Sequence, residues 1–198
     1  MPATSHRPTG VAASLASTVL ALSVLGTMQA ASAATNLALT GTASQSSTYP
    51  SGEAWQAIDG NTNSAWFDGS VAHSGQQDNP WWQVRLAEDA AIDSVVLWNR
   101  TDCCSERLSN VWLTLWQDNQ QVASQWIADA PALTASYAFS SVLADTVRLD
   151  RIVSNDDLQV AEVQVFGQVA AVPKPQTWAL MAGGLAGLAG LARRRAAR

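Results

Sequence analysis

The sequence predicts an all-β fold, an antiparallel β-sandwich set between two terminal segments. Three observations carry this reading. Short apolar runs repeat with a period of two, turn-forming residues separate them, and no long amphipathic helix occurs before the apolar C-terminal stretch. Trp82, Val84 and Leu86 alternate with Gln83 and Arg85, and Val111, Leu113 and Leu115 alternate with Trp112, Thr114 and Trp116. Such alternation turns one side of each run to a core and the other to water. Further strands are expected over 37–42, 92–98, 121–127, 133–139, 146–152 and 159–167, a number that suits a sandwich. Residues 53–58 allow a short helical turn, which the turn-forming Asp59-Gly60-Asn61 would stop.

The two ends read as addresses rather than fold. Residues 1–33 have the layout of a secretory signal peptide: His6 and Arg7, an apolar run from Val11 to Met28, and the small residues Ala31-Ser32-Ala33, with cleavage expected after Ala33. At the far end, 168–176 form a linker containing Pro173-Lys174-Pro175. The apolar stretch that follows, within 177–198, closes on Arg193, Arg194 and Arg195. The stretch before those arginines is short for a membrane span, and the arginines favour the cytoplasmic side, so a weak tail anchor, a C-terminal transmembrane helix, is expected. The folded domain then occupies 34–167, long enough to bury one core.

Charge narrows the partners. Five arginines, Arg85, Arg100, Arg107, Arg148 and Arg151, stand against all 16 acidic residues within the domain, leaving it at about −11. That balance argues against nucleic acid and anionic membrane surfaces. Both cysteines, Cys103 and Cys104, are adjacent, and an exported chain reaches a compartment where disulfides persist. They could close a small ring with each other, remain thiols or bridge to another chain.

The scarce residues converge in one stretch. His73 is the domain's single histidine, and 27 positions later Arg100 opens Arg100-Thr101-Asp102-Cys103-Cys104-Ser105-Glu106-Arg107. A neutral sugar offers no charge, so it must be held by directed hydrogen bonds and one apolar contact. Arginine supplies a rigid fork of donors for neighbouring hydroxyls, and histidine donates or accepts according to its tautomer.

The His73, Arg100, Asp102 and Arg107 spacing, with Asp78-Asn79-Pro80-Trp81-Trp82 before it, resembles that of the F-type lectins, the fucolectin-type domains, over about 36–167. The resemblance implies a jelly-roll, galactose-binding-like or discoidin-like sandwich that binds L-fucose. It places His73, Arg100 and Arg107 on the sugar oxygens, a Cys103–Cys104 disulfide on the sugar's apolar side, and Trp66 near its methyl group. Asp102 is expected to orient the arginines. It also implies a structural calcium ion held by Asp59, the backbone of Gln56 and Asn61, Ser70, Glu162 and the backbone of Ala161. Calcium takes six to eight hard oxygen ligands and accepts carbonyls, so this donor set is chemically reasonable.

The C-terminal order of proline motif, apolar stretch and arginines resembles the PEP-CTERM sorting signal of Gram-negative bacteria, with Lys174 where Glu is usual. It implies transient anchoring in the inner membrane, processing by an exosortase-like protease, and delivery to the cell surface, outer envelope or extracellular matrix. Fucosylated glycans or polysaccharide are the expected partners. A discoidin-like module binding another glycan, protein or lipid head group is the alternative, against which the complete His73, Arg100 and Arg107 set speaks. A glycoside-acting enzyme would need two opposed carboxyl groups, for which Glu106, Asp156 and Asp157 are candidates. No G-x-S-x-G or H-E-x-x-H motif is present, so binding without catalysis is expected.

Overall fold

Eight antiparallel strands build the sandwich in the computed structural model, which describes residues 35–170. They are β1 (Thr42–Gln45), β2 (Ala72–His73), β3 (Trp81–Trp98), β4 (Val111–Gln117), β5 (Gln120–Ile127), β6 (Thr134–Arg151), β7 (Gln159–Val160) and β8 (Glu162–Val169). The main ladder runs β1-β3-β6-β4-β5, with β8 added along the second half of β3, and β2 pairs with β7 separately. Signal peptide, sorting motif and tail lie outside the described residues, and among those described no helix is long and apolar enough to cross a membrane.

β3 and β6 each serve both layers. Trp81–Arg85 lies between β1 and Thr146–Asp150 of β6, whereas Ala90–Trp98 lies between β8 and Thr134–Ala144 of β6. The register shifts between Arg85 and Ala90, where the strands pass from one layer to the other. The sequence divides this strand into two runs, and the structure joins them because the ladder continues through the bend.

A second irregularity keeps the core apolar. Val84, Leu86, Ala90 and Ile92 face inward at even positions, but Val95 and Leu97 do so at odd ones. Against β8, the shift between Ile92 and Ser94 inserts one residue in β3 and reverses the facing, as a β-bulge does. With Leu113, Leu115, Val147, Leu149 and Val163 these residues form one buried cluster. Each fully buried large aliphatic side chain contributes roughly 1.5–3 kcal/mol.

The expected strand over 37–42 is corrected. Leu37–Thr40 is a 3-10 turn, because the Asn36 carboxamide accepts from the Ala38 N–H at 3.1 Å and the Gly41 N–H returns to the Ala38 carbonyl at 2.9 Å. The strand begins only at Thr42, and the helical turn expected over 53–58 is found at Ala54–Ile58. Between β4 and β5, Asp118 and Asn119 take left-handed φ of 50° and 63°, the two-residue turn that matches strand twist.

Candidate functional site

Three loops meet at one end of the sandwich: the segment before β3, the connection from β3 to β4, and the turn before β7. Their side chains form a cleft of about 340 Å³ lined by Tyr49, Trp66, His73, Arg100, Arg107 and Asp157, with Phe67 at its edge. His73, Arg100, Arg107 and Trp66, the residues singled out from the sequence, thus share one cleft. Asp102, Cys103 and Cys104 are not part of its lining.

His73 comes from β2 and is buried, and Gly52 lies against it so closely that a Cβ there would meet the His73 Cβ at 2.5 Å. The ring's surroundings determine its tautomer. The Ser74 carbonyl, 2.6 Å from Nδ1, can only accept, so Nδ1 carries the proton. The Gln159 amide then donates to Nε2 at 2.8 Å. Burial lowers the His73 pKa below 6.5, a shift the Ser74 bond and the charge of Asp157 partly offset. The ring is neutral at physiological pH.

Arg100 is also buried, and its charge is met on two sides. Nε donates to Asp102 Oδ1 at 2.6 Å, Nη2 to Oδ2 at 3.3 Å, and Nη1 to Gln159 Oε1 at 3.1 Å. Trp66 lies beneath the guanidinium, 5.3 Å from ring centroid to Cζ. Asp102 also accepts the Trp66 and Cys103 N–H groups, and the hydrogen bond from Arg100 holds its carboxyl below the usual range despite desolvation. One carboxylate therefore orients the arginine, the tryptophan backbone and the start of the cysteine loop.

Arg107 has different partners. Its Nη1 lies 3.0 Å from Asp157 and its Nε 3.7 Å from Asp156, so Asp102 orients Arg100 and not Arg107. Arg151, buried beneath them, pairs with Asp156 at 2.8 Å, donates to the Ser109 carbonyl at 3.2 Å and also donates to the Asp157 carbonyl. This ties the loop bearing Arg107 to the turn bearing Asp157. Asp156 and Asp157 are thus ion-pair partners of arginines, not an opposed catalytic pair.

Aromatic rings close the cleft: Tyr49 stacks on His73 at 4.6 Å, and Trp66 meets both edge-on at 5.9 and 5.0 Å. Phe67 is 91% exposed, an unusual position for so apolar a side chain. Cys103 and Cys104 are joined as a disulfide, with Cys104 at a left-handed φ of 55°. The sequence reading missed Gln159, Tyr49 and Phe67. Gln159 carries no spacing signal, because its role exists only through contacts 59 and 86 residues away.

Beside this cleft, Asp59, Gly60 and Glu162 converge. Glu162 is fully buried, Oε1 accepts the Gly60 N–H at 3.2 Å, and Oε2 has no partner. Gln56 Oε1 is likewise buried and unpartnered, while Gln56 Nε2 donates to the Gly69 carbonyl at 2.7 Å. Burial, and then the charge of Asp59, raise the Glu162 pKa to about 8. Ser70 Oγ donates its one hydrogen to the Asn63 carbonyl at 2.5 Å, with the Ala65 carbonyl farther off at 3.2 Å, leaving its lone pairs available. No group of three or more His, Cys, Asp or Glu side chains forms a metal cluster among the described residues. Two carboxylates, the orphaned Gln56 amide oxygen and the Ser70 hydroxyl oxygen are donors that suit a hard cation. The side-chain oxygen of Gln56, rather than its backbone alone, is among them.

Comparison with known proteins places these features. Residues 56–149 match the family model described as a NedA-like, galactose-binding domain of the F5/F8 type C group. A fucolectin of Anguilla anguilla is 42% identical over 87 residues, 41% of this chain and 55% of the eel protein; the matches to the curated fucolectins span about half of those relatives' length. The lectin domain of lectinolysin, solved with Lewis B antigen, is 36% identical with a TM-score of 0.65, the match covering 68% of this chain and 98% of that one. A fucose-binding module of Streptococcus pneumoniae is 31% identical at a TM-score of 0.64, over 66% and 96% of the two chains. With its antiparallel sandwich and these relatives, the chain belongs to the F5/F8 type C, galactose-binding-like domain family, alongside fucolectins and bacterial fucose-binding modules.

Proposed function

We propose that the chain is a lectin for terminal L-fucose or a sugar of similar stereochemistry. It is a binding protein and not an enzyme, as its relatives are lectins and sugar-binding modules. The observation that supports the fucose reading is the convergence of Arg100, Arg107 and His73 with Trp66 in one cleft, in a chain whose relatives include fucose-binding modules. The arginine donors address neighbouring hydroxyls, and Trp66 and Phe67 offer apolar surface to ring carbons and the methyl group. Neutral His73 sets the floor, and a sugar oxygen reaching its Nε2 displaces the Gln159 amide. The Cys103–Cys104 plate flanks the sugar's apolar side.

A calcium ion would be held by Asp59, Glu162, Ser70 and Gln56 with the carbonyls of Asn61 and Ala161. When bound, it supplies positive charge that offsets two neighbouring carboxylates, and it ties the loop after Ala54–Ile58 to β8. The orphaned Glu162 and Gln56 oxygens support this reading. Residues 1–33 direct export. Residues 168–198 act as a PEP-CTERM-like signal that an exosortase-like protease processes, delivering the lectin to the cell surface or matrix of a Gram-negative bacterium.

Calorimetric titration of the purified protein with L-fucose, with D-glucose as control, tests the lectin. Saturable heat with fucose alone is expected, and a folded protein giving no heat refutes the fucose reading. Sequencing the exported protein's N-terminus tests the signal peptide, with Ala34 expected first.

A further inference from the structure

The arrangement around Arg100 occurs a second time in the molecule, on the solvent face of the main sheet. Arg148-Leu149-Asp150 repeats the arginine, any residue, aspartate order of Arg100-Thr101-Asp102. Arg148 Nε donates to Asp150 Oδ1 at 2.9 Å and Nη2 to the same oxygen at 2.7 Å, so one carboxylate holds the guanidinium in place. Nη1 donates to Gln83 Oε1 at 3.1 Å, as Arg100 Nη1 does to Gln159. The Trp81 ring lies 4.3 Å from Arg148 Cζ, as Trp66 lies beneath Arg100. A second arginine, Arg85, stands nearby with its side chain 64% exposed, as Arg107 accompanies Arg100.

Strand register explains how these residues meet. Gln83, Arg148 and Thr114 lie opposite one another across β3, β6 and β4, and Trp81, Asp150, Trp112 and Trp126 form the adjacent row across to β5. Residues opposite one another in a ladder share a face, so the sheet presents planar polar groups flanked by indole rings. Two clefts result, one of about 510 Å³ around Gln83, Arg148 and Trp116, the other of about 350 Å³ around Trp112 and Gln121, with Asp150 in both. Trp112 and Trp126 remain 40% and 41% exposed, with ring centroids 5.1 Å apart. Contiguous exposed apolar surface of this kind marks an interaction site.

We infer that this sheet face is a second glycan site, one that takes consecutive pyranose rings within a neutral polysaccharide chain. Indole faces meet the apolar C–H faces of sugar rings, while Arg148, Asp150 and Gln83 present in-plane donors and acceptors to the hydroxyls at ring edges. The Arg148–Asp150 pair is neutral as a unit, which suits an uncharged ligand. Interfaces between protein copies have an apolar centre and a polar rim, whereas the polar row here runs between tryptophans, with Trp81 and Trp112 on one side and Trp116 on the other. The two adjoining clefts fit an extended chain, while the loop cleft accommodates a single terminal sugar.

Affinity electrophoresis of the purified protein in gels containing hydroxyethylcellulose, xylan, galactan or mannan, each with saturating L-fucose, tests this. At least one polymer is expected to retard the wild-type protein. Arg148→Ala and Trp112→Ala are expected to weaken that retardation at least about tenfold while leaving the heat of fucose titration unchanged and lowering the melting temperature by no more than a few degrees. Arg107→Ala should retain polymer retardation, so the sheet site is judged independently of the fucose reading. Retardation by none of the four polymers, or retardation indifferent to both sheet variants, overturns the inference. So does a wild-type dimer that Trp112→Ala makes monomeric, since the face then covers a second copy.

Discussion

The loop cleft and the sheet face use the same parts to different effect. In both, an arginine is held by the aspartate two residues later, bonded to a glutamine oxygen and laid on an indole ring. On the sheet, the ladder places them, and Arg148 remains a quarter exposed. At the loop end the ladder is only the two-residue pairing of β2 with β7, so the chain adds a buried polar scaffold of Gln159, Arg151 and Asn99, and Arg100 is withdrawn to 6% exposure. Sites on loops need such bracing to hold a geometry that strands hold through register.

That contrast is sharpest in a pair of substitutions. Arg100→Ala is expected to weaken fucose binding roughly 100-fold or more, equivalent to about 2.7 kcal/mol. It should also destabilise the fold by about 2–4 kcal/mol, because Asp102 and buried Gln159 lose their charged partner. Arg148→Ala should cost under about 1 kcal/mol, since partly exposed pairs contribute little. Denaturant titration of both variants checks the ranking, and equal losses would remove the distinction.

The proposed calcium ion would give the next largest effect, at the loop end. Asp59→Ala, or chelation of the wild-type protein, is expected to lower the melting temperature by about 5–10 °C, because an ion bound only by the folded state stabilises it. Differential scanning calorimetry with and without chelator reads this, and identical melting curves would refute the calcium site.

Acid affects the loop cleft more gently. The folded-state pKa of His73 lies below its unfolded value of 6.5, so its contribution is complete above 6.5 and is lost as pH falls through the lower folded value. Protonation would also place a second donor against the Gln159 amide. Fucose affinity measured by titration should therefore be flat from pH 8 to 7 and decline in the acid range, while His73→Gln should flatten that decline. The smallest expected change is from Phe67→Ala, about two- to fivefold weaker fucose binding at unchanged stability, because the ring is nearly free of the core.

Much of the fold was legible because alternation is a local property. Trp82 to Leu86 and Val111 to Leu115 read as strands and are strands. What failed was continuity: 82–86 and 92–98 belong to one strand, and the irregularity between Arg85 and Ala90, where Ala87, Glu88 and Asp89 are all exposed, interrupts the period that reveals a strand. Leu37–Thr40 failed for another reason, since the Asn36 side chain, held also by the Val165 N–H at 2.9 Å, favours a turn over pairing.

For the sites the division is similar. His73, Arg100, Asp102 and Arg107 stood out because arginine, histidine and cysteine are scarce in this acidic domain and their spacing resembles a known motif. That patterning determined, by itself, the strands, the sandwich class and the segment on which a neutral-sugar reading rests. Tertiary structure alone decided that Asp157 rather than Asp102 holds Arg107, that Gln159 bridges Arg100 and His73, and that Trp81 and Gln83 meet Arg148. Each depends on register between strands or loops distant in sequence. Such pairing is selected by the whole core packing at once and leaves no periodic trace in any single segment.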